Sequence, residues 1–371
     1  MIRHLSRQHS VAVASLAHTE REFQEGVGLR EYCADIIADV LPTAVRWRQA
    51  CTALFSPRPS SLAYFRSSRL VCRLQQVWSE RKFDFVFVHC AFAAQYATGL
   101  KGARRILDFG DLDSGKYFDY SRQRAFPLSL GYGLEARKLR RYEREVAWQF
   151  DRCTVTTPGE LEVYRALDVS VPCSVIPNGV DLNYFRKRTK VPEQSHHVVF
   201  LGRMDYFPNV DGVSYFAREV FPLVRRRVPD AELQIVGSSP IRPVLELARM
   251  PGVSVTGYVP DVRPYLDEAA VAVAPLRLAR GTQNKILECM AVGVPVVSTP
   301  EAAKGIQASP GRDLFVAGTA EAFAQQVSEV LLNAELQNRL GEAGRRQVET
   351  AHTWALSMNL LDNLLDECAG K

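Results

Sequence analysis

Lys285 and Glu288 stand three residues apart in Lys285–Val292 (KILECMAV), where Ile286, Leu287, Met290 and Ala291 recur at helical spacing. That spacing predicts a helix that buries the four apolar residues and leaves the ammonium and the carboxylate near its start. A polar loop from Arg277 to Asn284, with Gly281 and Thr282 inside it, leads in. The unpaired N–H groups and the positive dipole end at such a start attract an anion. Lys285 adds a full charge, which makes a seat for a phosphate. Glu288, one turn on, is placed to accept hydrogen bonds from ribose hydroxyls. The outline is that of a nucleotide-diphosphate site. The plainer reading, an ordinary α/β crossover with a solvated lysine and glutamate, stays open at this point.

The elements that must position these groups are legible around them. Val271, Val273 and Pro275 close an apolar run that reads as a buried parallel strand. Gly293 ends the helix, Pro295 forbids its continuation, and Val294–Ser298 (VPVVS) gives the next core strand. Upstream, His197–Leu201, Glu232–Val236 and Val253–Thr256 read as strands, with helices at Val213–Arg227 and Val262–Glu268. The alternation spells a doubly wound parallel sheet. Phe83–His89 (FDFVFVH) is a buried strand with a histidine at its carboxyl end, where open α/β sheets bind ligands. Arg105–Phe109 is the next strand, followed by Asp111, Asp113, Ser114 and Lys116. The acids there match no EF-hand spacing, and helix capping or hydroxyl contacts to an acceptor fit better than a metal. Arg30–Val40 and Leu62–Glu80 carry helical patterns, and Gly133–Arg152 is a basic helix with Arg137, Lys138, Arg140, Arg141 and Arg144.

Composition sets the frame. A chain of 371 residues with 47% hydrophobic and 23% charged residues suits two soluble α/β domains. No apolar run approaches the roughly 20 residues of a membrane helix, and no signal core follows Met1, so a cytoplasmic location is expected. The eight cysteines show no CxxC spacing, which suggests neither zinc nor a disulfide framework. Up to Asp181 there are 25 Lys+Arg and 20 Asp+Glu, against 21 of each afterwards, so the whole excess of +5 lies in the first half. The basic helix beside aromatic residues suits an anionic membrane surface; nucleic acid is not expected as a partner.

The run Glu288-Cys289-Met290-Ala291-Val292-Gly293-Val294-Pro295-Val296-Val297 resembles the donor-binding motif of family 4 glycosyltransferases: Glu, seven residues, Glu, then Ala-Met-Ala-x-Gly-x-Pro-Val-Val. The first Glu of that pattern falls on Arg280. Pro275, Leu276, Arg277 and Lys285 match a branch of the family associated with exopolysaccharide assembly. Val175-Ile176-Pro177-Asn178-Gly179-Val180-Asp181, with Phe185, resembles the family's hinge segment, where Asn-Gly suits a tight turn with positive φ. Arg203 matches a family arginine set against the diphosphate, while the lysine expected five residues on is replaced by Pro208. His89 matches a histidine beside the transferred sugar, and Gly257, Tyr258 and Val259 match a loop that meets the nucleobase.

The resemblance implies an α/β protein of GT-B fold, two Rossmann-like domains whose parallel sheets face a central cleft. Residues 1–178 would bind the acceptor and 179–371 the nucleotide sugar, with 351–371 crossing back. It implies a retaining transfer to an acceptor hydroxyl, a glycan or lipid-linked sugar, without metal or other cofactor. His89, Arg203 and Lys285 are the expected catalytic groups. Arg280, Gly281, Thr282, Asn284, Glu288, Tyr258 and Val259 would bind the donor; Asp111, Asp113 and Lys116 would lie on the acceptor side. Departure of the diphosphate builds negative charge, which Arg203, Lys285 and the helix start would stabilise together. Two other readings compete: a nucleotide-sugar 2-epimerase on the same fold, and a non-catalytic fragment. An intact Rossmann half opens with a strand and glycine turn ahead of its first helix. Neither precedes the helical turns at Ile2–Gln8, so a truncated reading frame or fragment lacking that strand is the expectation.

Overall fold

A computed structural model describes residues 1–186 and 195–370. The chain divides into two compact units, Met1–Ile176 with Met358–Lys371, and Pro177–Ser357. In the first, β1 (Ala12–Ala17) and β2 (Asp35–Val40) form a parallel pair in the register Ala12↔Asp35 to Ala17↔Val40. A second parallel sheet follows: β3 (Phe85–His89), β4 (Arg104–Gly110), β5 (Arg152–Val155) and β6 (Cys173–Val175), in that order. Its core gathers Val88, Leu107, Phe109, Leu112, Val146 and Val155. The last helix, Trp354–Ala369, contributes Leu361, Leu364 and Leu365 against Ile106 of β4.

Several segments differ from the pattern reading, and the basic helix expected at Gly133–Arg152 runs instead from Leu128 to Ala147, with Arg152 opening β5. Arg30–Val40 is not a helix: a 3₁₀ turn ends at Glu31 and β2 follows. Ile36, Ile37 and Val40 satisfy helical spacing, yet burial alternates, with Ile37 and Asp39 inward. β-Branched side chains and a free edge on β1 decide for the strand. Leu62–Glu80 is two helices, Ser60–Tyr64 and Ser68–Glu80. Ser67 breaks it by capping, its hydroxyl accepting from Leu70 N at 3.0 Å and donating to the buried Asp39 carboxylate at 2.5 Å. The helix expected at Val213–Arg227 begins earlier, at Phe207, and passes through a π turn at Phe216–Val220. Pro222, lacking an N–H, follows directly.

The second unit is a six-stranded parallel sheet of β7 (His197–Leu201), β8 (Glu232–Val236), β9 (Val253–Gly257), β10 (Val271–Ala274), β11 (Val296–Ser298) and β12 (Phe315–Val316). The spatial order is β12-β11-β10-β7-β8-β9. Every residue of β10 is buried, as an apolar run covered on both faces requires. The chain leaves β7 for β8 on one side and returns by β10 on the other. The strand order therefore reverses between β7 and β10, and the crevice at their carboxyl ends is where such sheets bind ligands. The segments leaving those two ends are Gly202-Arg203 and Pro275–Gln283.

The Asn178-Gly179 segment has a different purpose from the turn expected of it, because neither residue takes a positive φ. A Cβ on Gly179 would run into the Thr353–Trp354 backbone. Val180 N donates to His352 O at 2.9 Å, and Ser357 Oγ donates to Pro177 O at 2.6 Å. The glycine serves close backbone approach where the chain enters and leaves this unit.

Candidate functional site

At the β7–β10 switch point, the helix Asn284–Val292 starts without a side-chain cap, leaving its first N–H groups for other partners. Gly293 closes it at φ 87, the left-handed C′ conformation. Lys285 turns back from the first turn toward the end of β7. Its Nζ donates to Asn209 Oδ1 at 2.6 Å and lies 4.3 Å from the Phe200 ring centroid. Asn209 is held in turn, its Nδ2 donating to the Arg203 carbonyl at 2.9 Å. Gly202 makes room: a Cβ there would sit 2.7 Å from Asn209 Nδ2 and 3.1 Å from Lys285 Nζ. The ammonium is thus built into the Gly202-Arg203 turn.

Among the described residues no carboxylate forms an ion pair with that ammonium, and burial pulls the Lys285 pKa down to about 7, with Cys289 and Glu288 acting the other way. Glu288 is also set into the wall. Burial raises its pKa, partly offset by Lys285, and its carboxylate has no hydrogen-bond partner among the described residues. The Thr282 hydroxyl is buried without a partner among those residues. Gly281 takes φ 59, and a Cβ on Gly305 would strike its carbonyl, so the loop is pressed against a second backbone segment. Asn284 is exposed, its Oδ1 accepting from Asn178 Nδ2 at 3.3 Å.

Lys285 reaches the Arg203 backbone through Asn209, while the Arg203 guanidinium is directed elsewhere. It is bound to Asp205 through Nη2 at 2.8 Å and Nε at 3.2 Å, with most of the side chain in solvent. Arg280 is half-buried, and its carbonyl accepts from Gln283 Nε2 at 2.9 Å. Arg277 is held aside by Asp211 at 2.5 and 3.0 Å and stacks over Tyr215. Beyond β9, Gly257 at φ 71 turns the chain so that Tyr258 is 77% exposed, while Val259 packs on the core.

The first unit carries its own group at strand ends. His89 closes β3, and its Nδ1 lies 2.7 Å from Asp108 Oδ2 on β4. The other Asp108 oxygen accepts from Thr154 Oγ1 at 2.8 Å and Gly110 N at 3.2 Å. Asp111 accepts from Thr156 Oγ1 at 2.8 Å. Asp113 and Lys116 lie in the first turn of helix Asp113–Gln123, 3.4 Å apart, and burial raises the Asp113 pKa. None of the loop acids caps that helix. Glu160 and Glu143, distant in sequence, accept from Leu112 N at 2.8 Å and Ser114 N at 2.9 Å instead. Glu143 is fully buried, and burial lifts its pKa to about 7. Among the described residues, no three His, Cys, Asp or Glu side chains are grouped to hold a metal ion.

Sequence reasoning missed Asn209, Phe200, Asp108, Glu143 and Glu160. Asn209 had a signal, since it adjoins Pro208, the position where the family pattern sets a lysine. Asp108 had one too, as a charged residue inside an apolar strand run.

Comparison with known proteins agrees with this geometry. Residues 195–333 match the family described as glycosyl transferases group 1, and residues 1–179 match the glycosyl transferase 4-like domain. No curated protein matches the sequence. Among solved structures, the chain is similar to a sucrose-phosphate synthase from Thermosynechococcus elongatus, at TM-score 0.71 and 16% identity over 98% of this chain and 100% of that one. A glycosyltransferase from Rickettsia africae gives TM-score 0.67 and 15% identity over 97% and 90%. HepE from Anabaena, solved in complex with UDP, gives 0.69 and 12% over 98% and 94%. At these identities the structural likeness establishes the fold, GT-B, and each of the two units carries a match to a glycosyltransferase domain family.

Proposed function

We propose that the second unit binds a nucleotide-diphosphate sugar and that the protein transfers its sugar, with retention, to an acceptor hydroxyl. The observation that carries this is Lys285: a half-buried ammonium on a neutral amide, beside an uncapped helix start and a glycine turn. Desolvating a cation that no carboxylate neutralises is costly, and a diphosphate would supply the missing charge. Glu288, one turn along and unpartnered among the described residues, takes the ribose hydroxyls. Tyr258 and Val259 line the base through backbone groups, and Gly281, Thr282 and Asn284 border the phosphates. Arg203 exchanges Asp205 for the leaving diphosphate, with Arg280 beside the loop. HepE, solved with UDP and with UDP-glucose, makes a UDP-sugar the first donor to try.

In the first unit, His89 offers its outer ring nitrogen to a sugar hydroxyl, and Asp111, Asp113 and Lys116 meet the acceptor. The transfer is read as a front-face substitution in which the departing phosphate takes the acceptor proton; no metal is called for. The acceptor is read as a lipid-linked sugar in exopolysaccharide or other surface-glycan synthesis, at the inner membrane face. An exposed strip supports the membrane part of this reading. Phe55 is 97% exposed, and Lys138 of helix Leu128–Ala147 donates to the neighbouring Leu54 carbonyl at 2.9 Å. That helix also exposes Leu130 and Leu134, followed by Arg137, Arg140, Arg141 and Arg144. Apolar tips beside a basic row suit anionic lipid. No helix among the described residues is long and apolar enough to cross a membrane.

The donor reading is tested by calorimetry with a panel of nucleotide sugars, wild type against Lys285→Met. Binding of at least one, lost in the variant, is expected. Absence of binding across the panel, or equal affinity in the variant, contradicts it.

A further inference from the structure

His89 does not stand alone at its strand end. Its Nδ1 is 2.7 Å from a carboxylate oxygen that is itself buried, while the imidazole side chain is 72% exposed. Asp108 is immobilised from three directions: by the strand that carries it, by the Thr154 hydroxyl and by the Gly110 amide. A carboxylate satisfied in this way is an acceptor only, so the hydrogen between it and His89 belongs to Nδ1. The outer nitrogen, Nε2, is then the ring atom left for a ligand. The ring is also confined at its edge, since a Cβ on Gly110 would lie 3.6 Å from His89 Cε1.

We propose that Asp108 is a positioning residue for His89: it fixes the Nδ1–H tautomer and the ring orientation, and so presents Nε2 to a sugar hydroxyl. The proposal deepens the glycosyl-transfer reading by assigning an orienting partner to a residue placed at that site. The geometry makes a clear electrostatic demand. Uncharged, the ring accepts a hydroxyl hydrogen bond at Nε2; as imidazolium, it donates one, with Asp108 offsetting the charge. The charged groups facing it are Asp108 from β4 and Asp111 from the following loop. The hydrogen bond from His89 Nδ1 to Asp108 holds the His89 pKa above its ordinary value, against the opposing effect of burial, with Asp111 adding in the same direction. No cation among these groups opposes the shift.

The test is made on the ligand-free protein, so its outcome does not depend on whether glycosyl transfer is the right activity. Long-range ¹H–¹⁵N correlation spectra of ¹⁵N-labelled protein report the His89 tautomer and its titration. The wild type is expected to show the Nδ1–H form at high pH. In Asp108→Asn the midpoint is expected to fall by about one unit or more, the scale set by losing an adjacent opposite charge. Asp108→Glu should recover part of that shift. Thr154→Val removes a donor to the same carboxylate and leaves more of its charge for the ring, so it should move the midpoint upward, and by less. A wild-type ring protonated on Nε2 alone overturns the proposal without any variant. So does a midpoint that is the same in wild type, Asp108→Asn and Thr154→Val, which is what a merely structural Asp108 would give. In turnover of a nucleotide sugar that binds, the acid limb of the pH–rate profile should move with the midpoint.

Discussion

The two sets of strand ends are built on opposite electrostatic plans. Behind β7 and β10 the protein sets an ammonium that no carboxylate pairs among the described residues, Lys285 on an amide, beside a helix start with no side-chain cap, while Arg203 is held by Asp205. Behind β3 and β4 it collects acids that take hydrogen bonds from within the unit, Asp108 from Thr154, Asp111 from Thr156, and Glu143 and Glu160 from backbone amides. A phosphate belongs at the first and would be repelled at the second. Neutral hydroxyls suit the second, where an imidazole and fixed carboxylates can exchange hydrogen bonds with them. Under the proposed function, side-chain charge is what would separate an anionic ligand from a neutral one on the same α/β plan.

The contrast is broken most severely at Lys285. Lys285→Met removes the ammonium without adding a polar group, and kcat/KM should fall by on the order of 100-fold or more, the usual cost of one donor to a developing anion. Glu288→Gln keeps shape and loses charge; nucleotide-sugar affinity should weaken by roughly 1–3 kcal/mol, read by calorimetry. Arg203→Ala should cost less than Lys285→Met, about tenfold, because the guanidinium already has Asp205 and water. Equal losses for the two would mean that Arg203 leaves Asp205 fully and that both cations act alike. Vesicle cosedimentation sharpens the first unit's side: salt-sensitive binding to phosphatidylglycerol, weaker for Phe55→Ser, and none to phosphatidylcholine. Binding indifferent to lipid charge and salt would remove the membrane reading.

The smallest effect is expected at Glu143, which should leave nucleotide binding unchanged and alter stability alone. Its folded pKa is about 7 against an ordinary 4.5. Between those values the folded protein keeps a proton that the unfolded chain releases, so stability falls as pH rises through that window. Glu143→Gln should flatten the slope and stabilise the protein at pH 8 by about 1 kcal/mol or more. Thermal unfolding that shows the same pH slope in both proteins contradicts this.

Much of the donor side was legible because its signals are local. The run from Lys285 to Val297 carries helix spacing, a C′ glycine, a helix-ending proline and a core strand in unbroken order. What the sequence could not show was who touches the ammonium: Asn209 lies 76 positions away, and only the β7–β10 adjacency brings it to Lys285. The first unit was less legible for the same reason. The first amides of helix Asp113–Gln123 and its lead-in are held by residues 29 and 48 positions distant, so Asp111 and Asp113 were natural but mistaken candidates for its cap alone. Arg30–Val40 misled because Ile36, Ile37 and Val40 fit helical spacing while the inward strand face pairs Ile37 with a charged Asp39, and only the pairing with β1 decides for the strand.

Lys285 offers the most direct measurement. A cation with a pKa of about 7 should be largely neutral at pH 8 in the ligand-free protein, and a bound diphosphate should draw a proton onto it. Calorimetry of a nucleotide sugar that binds, run at pH 8 in buffers of different ionisation enthalpy, measures that uptake. The account predicts net uptake of a substantial fraction of one proton, abolished in Lys285→Met, with affinity falling as pH rises above 7. An observed enthalpy independent of the buffer, with affinity flat across that range, would contradict it.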